Sequence, residues 1–406
     1  MRHLPFFAEL ASLEDGDPRW RALSAGLVVL RLVDAWIDEG ASAVTADGWG
    51  LRSVDAAIEE IPESEPARAV LSAVVQALRD SSTGDMHLIA PRLIAYGRAL
   101  DHEARWLLAA DVFQTVIAHV HPVEESDPAS AAHMRLGFCQ RNAGALDEAA
   151  ESYAAASAIA ADAGDMFGIL RAQIGAAKIA IARGNMPRAE ALLDDTISRS
   201  STQEELSEVH ATALQDRALV AHHRGRYDLA ISLAYRSLAL TKDQADRDRL
   251  LHDIAGAFYM LGVHSAARDA YLILEATAHE QYQRWAASIN LMEIAARAGS
   301  MPLFERYRRS LAAAPLSPDQ MAQYHLQAAE SYEALTKFDA AVAAAKRAQA
   351  TAEEYGFNQI LFAAEALIER VETGLPQITP FTEAPIPPSL QEIATDISEK
   401  RKLVPS

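Results

Sequence analysis

The chain has 406 residues, a length that suits two domains or a repeat array better than one ordinary domain. Half of it is hydrophobic and only 7% is aromatic, which favours close helix packing over a sheet-rich fold. The formal charge of −19 argues against nucleic acid as a partner, because such interfaces need clustered positive charge.

The first residues, "MRHLPFFAELASLEDGD", hold no apolar core of signal-peptide length before their acids. Asp17 followed by Pro18 starts a helix that sets Trp20, Leu23, Leu27, Leu30, Val33 and Ile37 on one face. Its apolar run, 23–37, is interrupted by Arg31 and Asp34, so it is too short and too charged to span a bilayer. No membrane partner is expected, and the expected location is cytoplasmic. A break over 40–50 precedes two further helices at 51–61 and 66–79. Residues 1–85 read as a small N-terminal helical bundle, with degenerate repeats as the alternative.

From residue 86 one turn is written again and again. It appears as "NAGALDEA" at 142–149, "RGNMPRA" at 183–189, "RGRYDLA" at 224–230, "LGVHSAA" at 261–267 and "LTKFDAA" at 335–341. Aligned on Ala149, Ala189, Ala230 and Ala267, the intervals are 40, 41 and 37 residues. A copy near Phe304 fills the gap before Ala341, and one at Ala110 precedes the series. Such a period marks a repeat architecture. Each unit reads as two helices: Leu251, Ile254, Ala255 and Phe258 at helical spacing, then Gly262, then Ala267, Tyr271 and Leu274. Glycine suits the turn because it accepts positive φ. Cys139, the only cysteine, excludes an internal disulfide and reads as a buried structural thiol. Asp127 before Pro128, Thr202 with Glu205, and Ser317 with Gln320 read as helix caps.

These units resemble the tetratricopeptide repeat family, in its bacterial form. One supplies Gly137, Gly144, Leu146, Ala149, Tyr153 and Ala156 at the family's small, glycine and aromatic positions. Others supply Ala218, Gly225, Tyr227 and Ala230; then Ala255, Gly262, Ala267 and Tyr271; then Ala329, Phe338, Ala341 and Ala348, with Thr336 in place of glycine. The family's usual late proline is absent. The likeness covers 86–356, about seven units. It implies an all-α, helix-turn-helix repeat solenoid that binds extended peptides or helices along a concave face lined by the first helix of each pair.

After the array, 358–372 reads as a capping helix within 357–375, with Ile360, Ala364, Leu367 and Val371 inward. From 376 the chain is proline-rich. Leu390, Ile393 and Ile397 then give helical spacing, so the tail reads as a short amphipathic helix on an extended leash. It is expected to dock on its own array or on a second copy, which leaves a homodimer open, with a disordered terminus as the alternative.

No phosphate-binding loop, dinucleotide fingerprint, nucleophile elbow or HExxH motif occurs. His119 and His121 are two apart, and His222 and His223 adjacent, so neither pair shares a helix face; no metal and no cofactor is expected. The expected function is a non-catalytic scaffold for a protein or peptide partner. Helical spacing puts Phe138, Arg141, Asn142, Lys178, Gln215, His222, His252, Tyr259, Asn290, Glu293, Gln327 and Glu330 on its concave face, with Ile174 beside Lys178. The clamp with which the family's chaperone-tail binders hold a terminal carboxylate is absent, since Met134 and Phe138 stand at its positions. Bacterial peptide-responsive regulators share the layout of bundle and repeats, so the alternative is a regulatory sensor of a signalling peptide or response regulator.

Overall fold

The computed structural model describes residues 2–14, 17, 19–39, 49–81, 85–376 and 381–404. All regular structure among them is helical, and the chain divides into two compact units, Met1–Arg199 and Ser200–Ser406.

The first unit begins with α1 (Leu4–Ser12), α2 (Arg19–Glu39), α3 (Trp49–Glu59) and α4 (Pro66–Asp80). Three helix pairs follow: α5 (Met86–His102) with α6 (Trp106–His119), α7 (Ser126–Asn142) with α8 (Leu146–Asp162), and α9 (Met166–Ala182) with α10 (Met186–Ser200). Leu23, Leu30 and Val33 of α2 are buried in one cluster with Leu71 of α4, Ile89 of α5, Phe113 of α6 and Cys139 of α7. Trp20 departs from the expected apolar face and stays 47% exposed, because it sits in the first turn of α2. No periodic pattern announces α1, whose Phe6 is fully buried in the same cluster. The expected break at 40–50 lies mostly outside the described residues.

The second unit holds four pairs: α11 (Ser207–His223) with α12 (Tyr227–Leu240), α13 (Gln244–Met260) with α14 (His264–Thr277), α15 (Gln281–Arg297) with α16 (Met301–Ala312), and α17 (Pro318–Ala334) with α18 (Phe338–Tyr355). Next come α19 (Asn358–Glu372) and, in the tail, α20 (Gln391–Lys402).

One turn joins the helices of every pair in both units. The second residue after the first helix takes a left-handed conformation, as at Gly144 (φ 83°) and Gly262 (φ 81°), and the next N–H reaches back five residues. Val263 donates to the Phe258 carbonyl at 3.0 Å and Lys337 to the Tyr332 carbonyl at 2.8 Å. This satisfies carbonyls that the helix end leaves open, and it fixes the angle at which the second helix returns. Close approach then depends on small residues. At Gly175 an added Cβ would lie 2.6 Å from the Tyr153 ring, which α8 lays against α9. Tyr271 is buried between helices in the same way, 2% exposed. These are tetratricopeptide-like helix pairs.

Three expected caps take other forms. α7 starts at Ser126, so Asp127 lies inside its first turn and caps nothing. α11 starts at Ser207 after a short 3-10 turn at Glu204–Leu206, beyond Thr202. Ser317 is the N-cap of α17, but Gln320 donates to the Tyr282 carbonyl at 2.9 Å instead of closing a capping box.

The tail lies against the second unit. Ala384 donates to the Gly262 carbonyl at 2.9 Å, and Phe381 stacks on His264 at 4.0 Å. The Glu383 carboxylate accepts from the Ser265 N–H (3.1 Å) and hydroxyl (2.6 Å) at the first turn of α14. A carboxylate is well placed there, at the positive end of a helix. Leu390, Ile393, Ala394 and Ile397 are buried, and Tyr235 of α12 donates to Asp396 at 2.7 Å.

Candidate functional site

In the second unit the first helices α13, α15 and α17 and then α19 neighbour one another in order. Helical spacing turns one stripe of each toward the same face, where the repeat core makes no demand on residue type. Polar side chains there bond across repeats. The Tyr259 hydroxyl donates to Glu293 Oε1 at 2.5 Å, and Arg297 Nε donates to the same oxygen at 2.7 Å. One repeat on, Arg370 of α19 grips Glu333 of α17 through two bonds, 2.9 and 2.6 Å. Glu293 and Glu333 are both almost fully buried, so these are charge-assisted bonds in a low-dielectric setting.

Glu330 sits in this row without such a partner. Burial first, and then the charge of Glu293, push its carboxyl up to about 7 against the pull of Arg297 and Arg370. It is therefore able to donate or accept a hydrogen bond near neutral pH. Beside it on α17, Gln327 Oε1 is buried with no hydrogen-bond partner.

Further back in the unit, Gln215, His222 and His223 of α11 and His252 and Asp253 of α13 line a cavity of about 270 Å³, floored by Ala230 and Ala234 of α12. Burial pulls His252 down to about 4, so the ring is neutral. It stands edge-on to Tyr271 at 5.3 Å, and its Nδ1 has no hydrogen-bond partner. His222 is also lowered, by burial and by His223 beside it. Asp253 reaches water yet is enclosed by the cavity walls, and that enclosure raises it to about 6 against the pull of Arg249.

The residues expected on the binding face thus fall into separate sets. Gln215, His222 and His252 share the cavity, and Tyr259 and Glu293 share a bond. Gln327 and Glu330 lie on α17. Asn290 turns back on its own helix and donates to the Ala286 carbonyl at 2.8 Å. In the first unit, Phe138 is half-buried, edge-on to Trp106 at 5.7 Å, with the Arg141 guanidinium 5.5 Å from its ring centroid. Asn142 is exposed, Lys178 is half-buried, and Ile174 belongs to the core at 5% exposure.

Sequence reasoning missed Arg297, Glu333 and Arg370. Glu333 and Arg370 are 37 residues apart, as are the bonded Tyr282 and Asp319. Pairs spaced by one repeat period were the available signal. A triad of metal-ligand type, Asp85, His87 and Glu125, also comes together in the first unit. Its acids have structural tasks: Asp85 caps α5 through the His87 N–H, and Glu125 accepts from the His121 N–H.

No family model and no curated protein matches the sequence. Solved structures with a similar helical layout include the Rap conjugation gene regulator of a plasmid, in complex with a peptide. It is 13% identical over 86% of this chain and 96% of that one, with a TM-score of 0.46. The aspartyl phosphate phosphatase F of Bacillus subtilis is 10% identical over 93% and 98%, with a TM-score of 0.39. The pilF protein of Pseudomonas aeruginosa is 15% identical over 58% and 94%, with a TM-score of 0.43. Likenesses this distant describe helical layout alone.

Proposed function

We propose that this chain is a non-catalytic binding protein that takes a peptide or protein segment along the first-helix face of its second unit. The observation that carries this reading is two buried polar atoms left without partners on first helices of this unit, His252 Nδ1 of α13 and Gln327 Oε1 of α17. An unsatisfied buried polar atom costs about 1 to 3 kcal/mol. A polypeptide backbone offers donors and acceptors together, so an extended segment satisfies a neutral imidazole and an amide oxygen at once. Glu330, titrating near neutrality, adds a group that can serve a carbonyl or an amide. The Arg297 and Arg370 charges are already spent on Glu293 and Glu333, so the face selects by hydrogen bonding and shape more than by net charge.

The test is selection of random peptides displayed against the full chain, followed by affinity measurement on purified peptides. His252→Ala and Gln327→Ala should each weaken binding about tenfold, roughly 1.4 kcal/mol, with the helical circular dichroism unchanged. Selected peptides that bind both variants as tightly as the parent chain would overturn the assignment of this face.

A further inference from the structure

A second cavity in this unit belongs to neither the first-helix face nor the repeat core. It occupies about 570 Å³ between the second helices α14 and α16, within the size range of pockets that hold small organic ligands. Its floor is apolar: Leu291, Ile294 and Ala295 of α15, with Leu272 and Leu303 at the sides. The tail closes it, with Phe381 and Glu383 at one point and Arg401 at another.

Charge on the rim is unbalanced in a specific way. The two acids are served by neutral donors: Glu383 by Ser265, and Glu275 by the Tyr307 and Ser288 hydroxyls at 3.4 Å. The three cations lack acids of their own across the cavity. Arg306 lies 5.8 Å from the Tyr307 ring centroid, and Arg268 makes only a 3.6 Å contact with its chain neighbour Asp269. Arg401 donates to the Val404 carbonyl, while its Nε is buried without any partner. An apolar floor beneath Arg306, whose recorded contact is with a ring, and beneath the unpartnered Arg401 Nε fits one kind of molecule.

We infer that this cavity binds a small free anionic amphiphile, an apolar chain or ring carrying a carboxylate, with its acid held by Arg401 and Arg306. The ligand then bridges the array and the tail, so its binding strengthens tail docking. Decanoate, kept below its micelle concentration, is the probe. Calorimetry on the full chain should show one site. Arg306→Met and Arg401→Met keep the apolar stems and should each weaken it about tenfold. Ala276→Trp fills the cavity from an exposed position on α14 and should abolish binding. Hydrogen exchange of 391–402 should slow with decanoate present. Decylamine should not bind. The inference fails if decanoate does not bind, if it binds all three variants alike, or if decylamine binds equally. Sedimentation with phosphatidylglycerol vesicles separates the free acid from a membrane source, and pelleting of the chain would overturn the free-ligand reading. Peptide selection on the His252 and Gln327 face is a separate readout, so either site can fail alone.

Discussion

The two ends of the chain are tied down by different physics. At the N-terminal end the knot is ionic and buried. His3, 4% exposed, places Nδ1 2.8 Å from Asp111 Oδ2 of α6 and Nε2 3.3 Å from Asp34 Oδ2 of α2. His119 meets the other Asp34 oxygen at 2.9 Å, and Arg2 joins at 3.0 Å. At the C-terminal end the knot is apolar. Leu390, Ile393, Ala394 and Ile397 are buried, and the polar contacts around them involve more exposed groups such as Glu383 and Lys400. A buried charge cluster fails badly when one member is removed, while an apolar seam loosens in proportion to the area lost. The N-terminal knot should therefore fail as a unit, and the tail should loosen by degrees.

The largest expected effect tests the ionic knot. His3→Leu leaves Asp34 and Asp111 facing each other's environment without the shared cation. Removing one partner of a buried ion pair typically costs about 3 to 5 kcal/mol. Urea unfolding followed by hydrogen exchange should place that loss in α1, α2 and α6, with 391–402 unaffected. A loss below about 1 kcal/mol would show that His3 contributes little to this knot.

Ile397→Ala tests the other end. The side chain is 1% exposed, so truncation should weaken tail docking by about 2 to 4 kcal/mol, enough to release much of the helix. Amide protection over 391–402 should collapse while the repeat helices keep theirs. Unchanged protection would mean that Glu383 and Ala384, not the apolar seam, hold the tail.

How much of each knot could be read in advance follows from the same contrast. Leu390, Ile393 and Ile397 announce a helix because their spacing is local. So do Gly262, Ala267 and Tyr271, because the repeat writes them several times. The bonded pairs among His3, Asp34, Asp111 and His119 are up to 108 positions apart, and no pattern along the chain connects them. Along the chain His119 stands two positions from His121, although its partner Asp34 is 85 residues away. The binding face lies between these cases. Its helix register was legible, but Asn290 bonds its own helix and Phe138 leans on Trp106, choices that depend on neighbours the period does not specify. The cap at Asp127 failed for a similar reason, since the helix starts one residue before it.

The pH response should separate the ends next. Burial alone would lower His3, but its bonds to Asp111 and Asp34 and their charges outweigh burial and raise it from 6.5 to about 9. A raised folded-state value means that protonated His3 stabilises the fold fully below pH 6.5, and that this contribution is lost as pH rises through about 9. In the tail, Asp396 is held below its ordinary range: burial opposes this, and the bonds from Lys400 and Tyr235 prevail. Its contribution is present above its ordinary range and falls away only in acid. Between pH 6.5 and 9 the N-terminal helices should lose exchange protection while 391–402 keeps its own. Loss of both together would mean that a shared group, not His3, is titrating.

The smallest effect concerns the first and last helix pairs, where the repeated turn lacks its glycine. Ala104 (φ 58°) and Thr336 (φ 57°) hold the left-handed position that Gly144, Gly184, Gly225, Gly262 and Gly299 hold elsewhere. A side chain there costs about 1 to 2 kcal/mol, and a β-branched one fits worst. Thr336 keeps the conformation because the Lys337 N–H is anchored to the Tyr332 carbonyl and Phe338 must begin α18 at once. Thr336→Gly relieves that strain at the cost of a more flexible unfolded chain, so a gain of about 0.5 to 1 kcal/mol is expected. Ala104→Gly should gain less, because alanine lacks the branched carbon. The reverse change, Gly262→Ala, should destabilise by about 1 kcal/mol and also disturb the tail, since the new Cβ would meet the Ala384 methyl at 3.2 Å. Chemical denaturation gives the order Thr336→Gly, Ala104→Gly, parent, Gly262→Ala. A destabilised Thr336→Gly would show that the threonine side chain makes a compensating contact in the last pair.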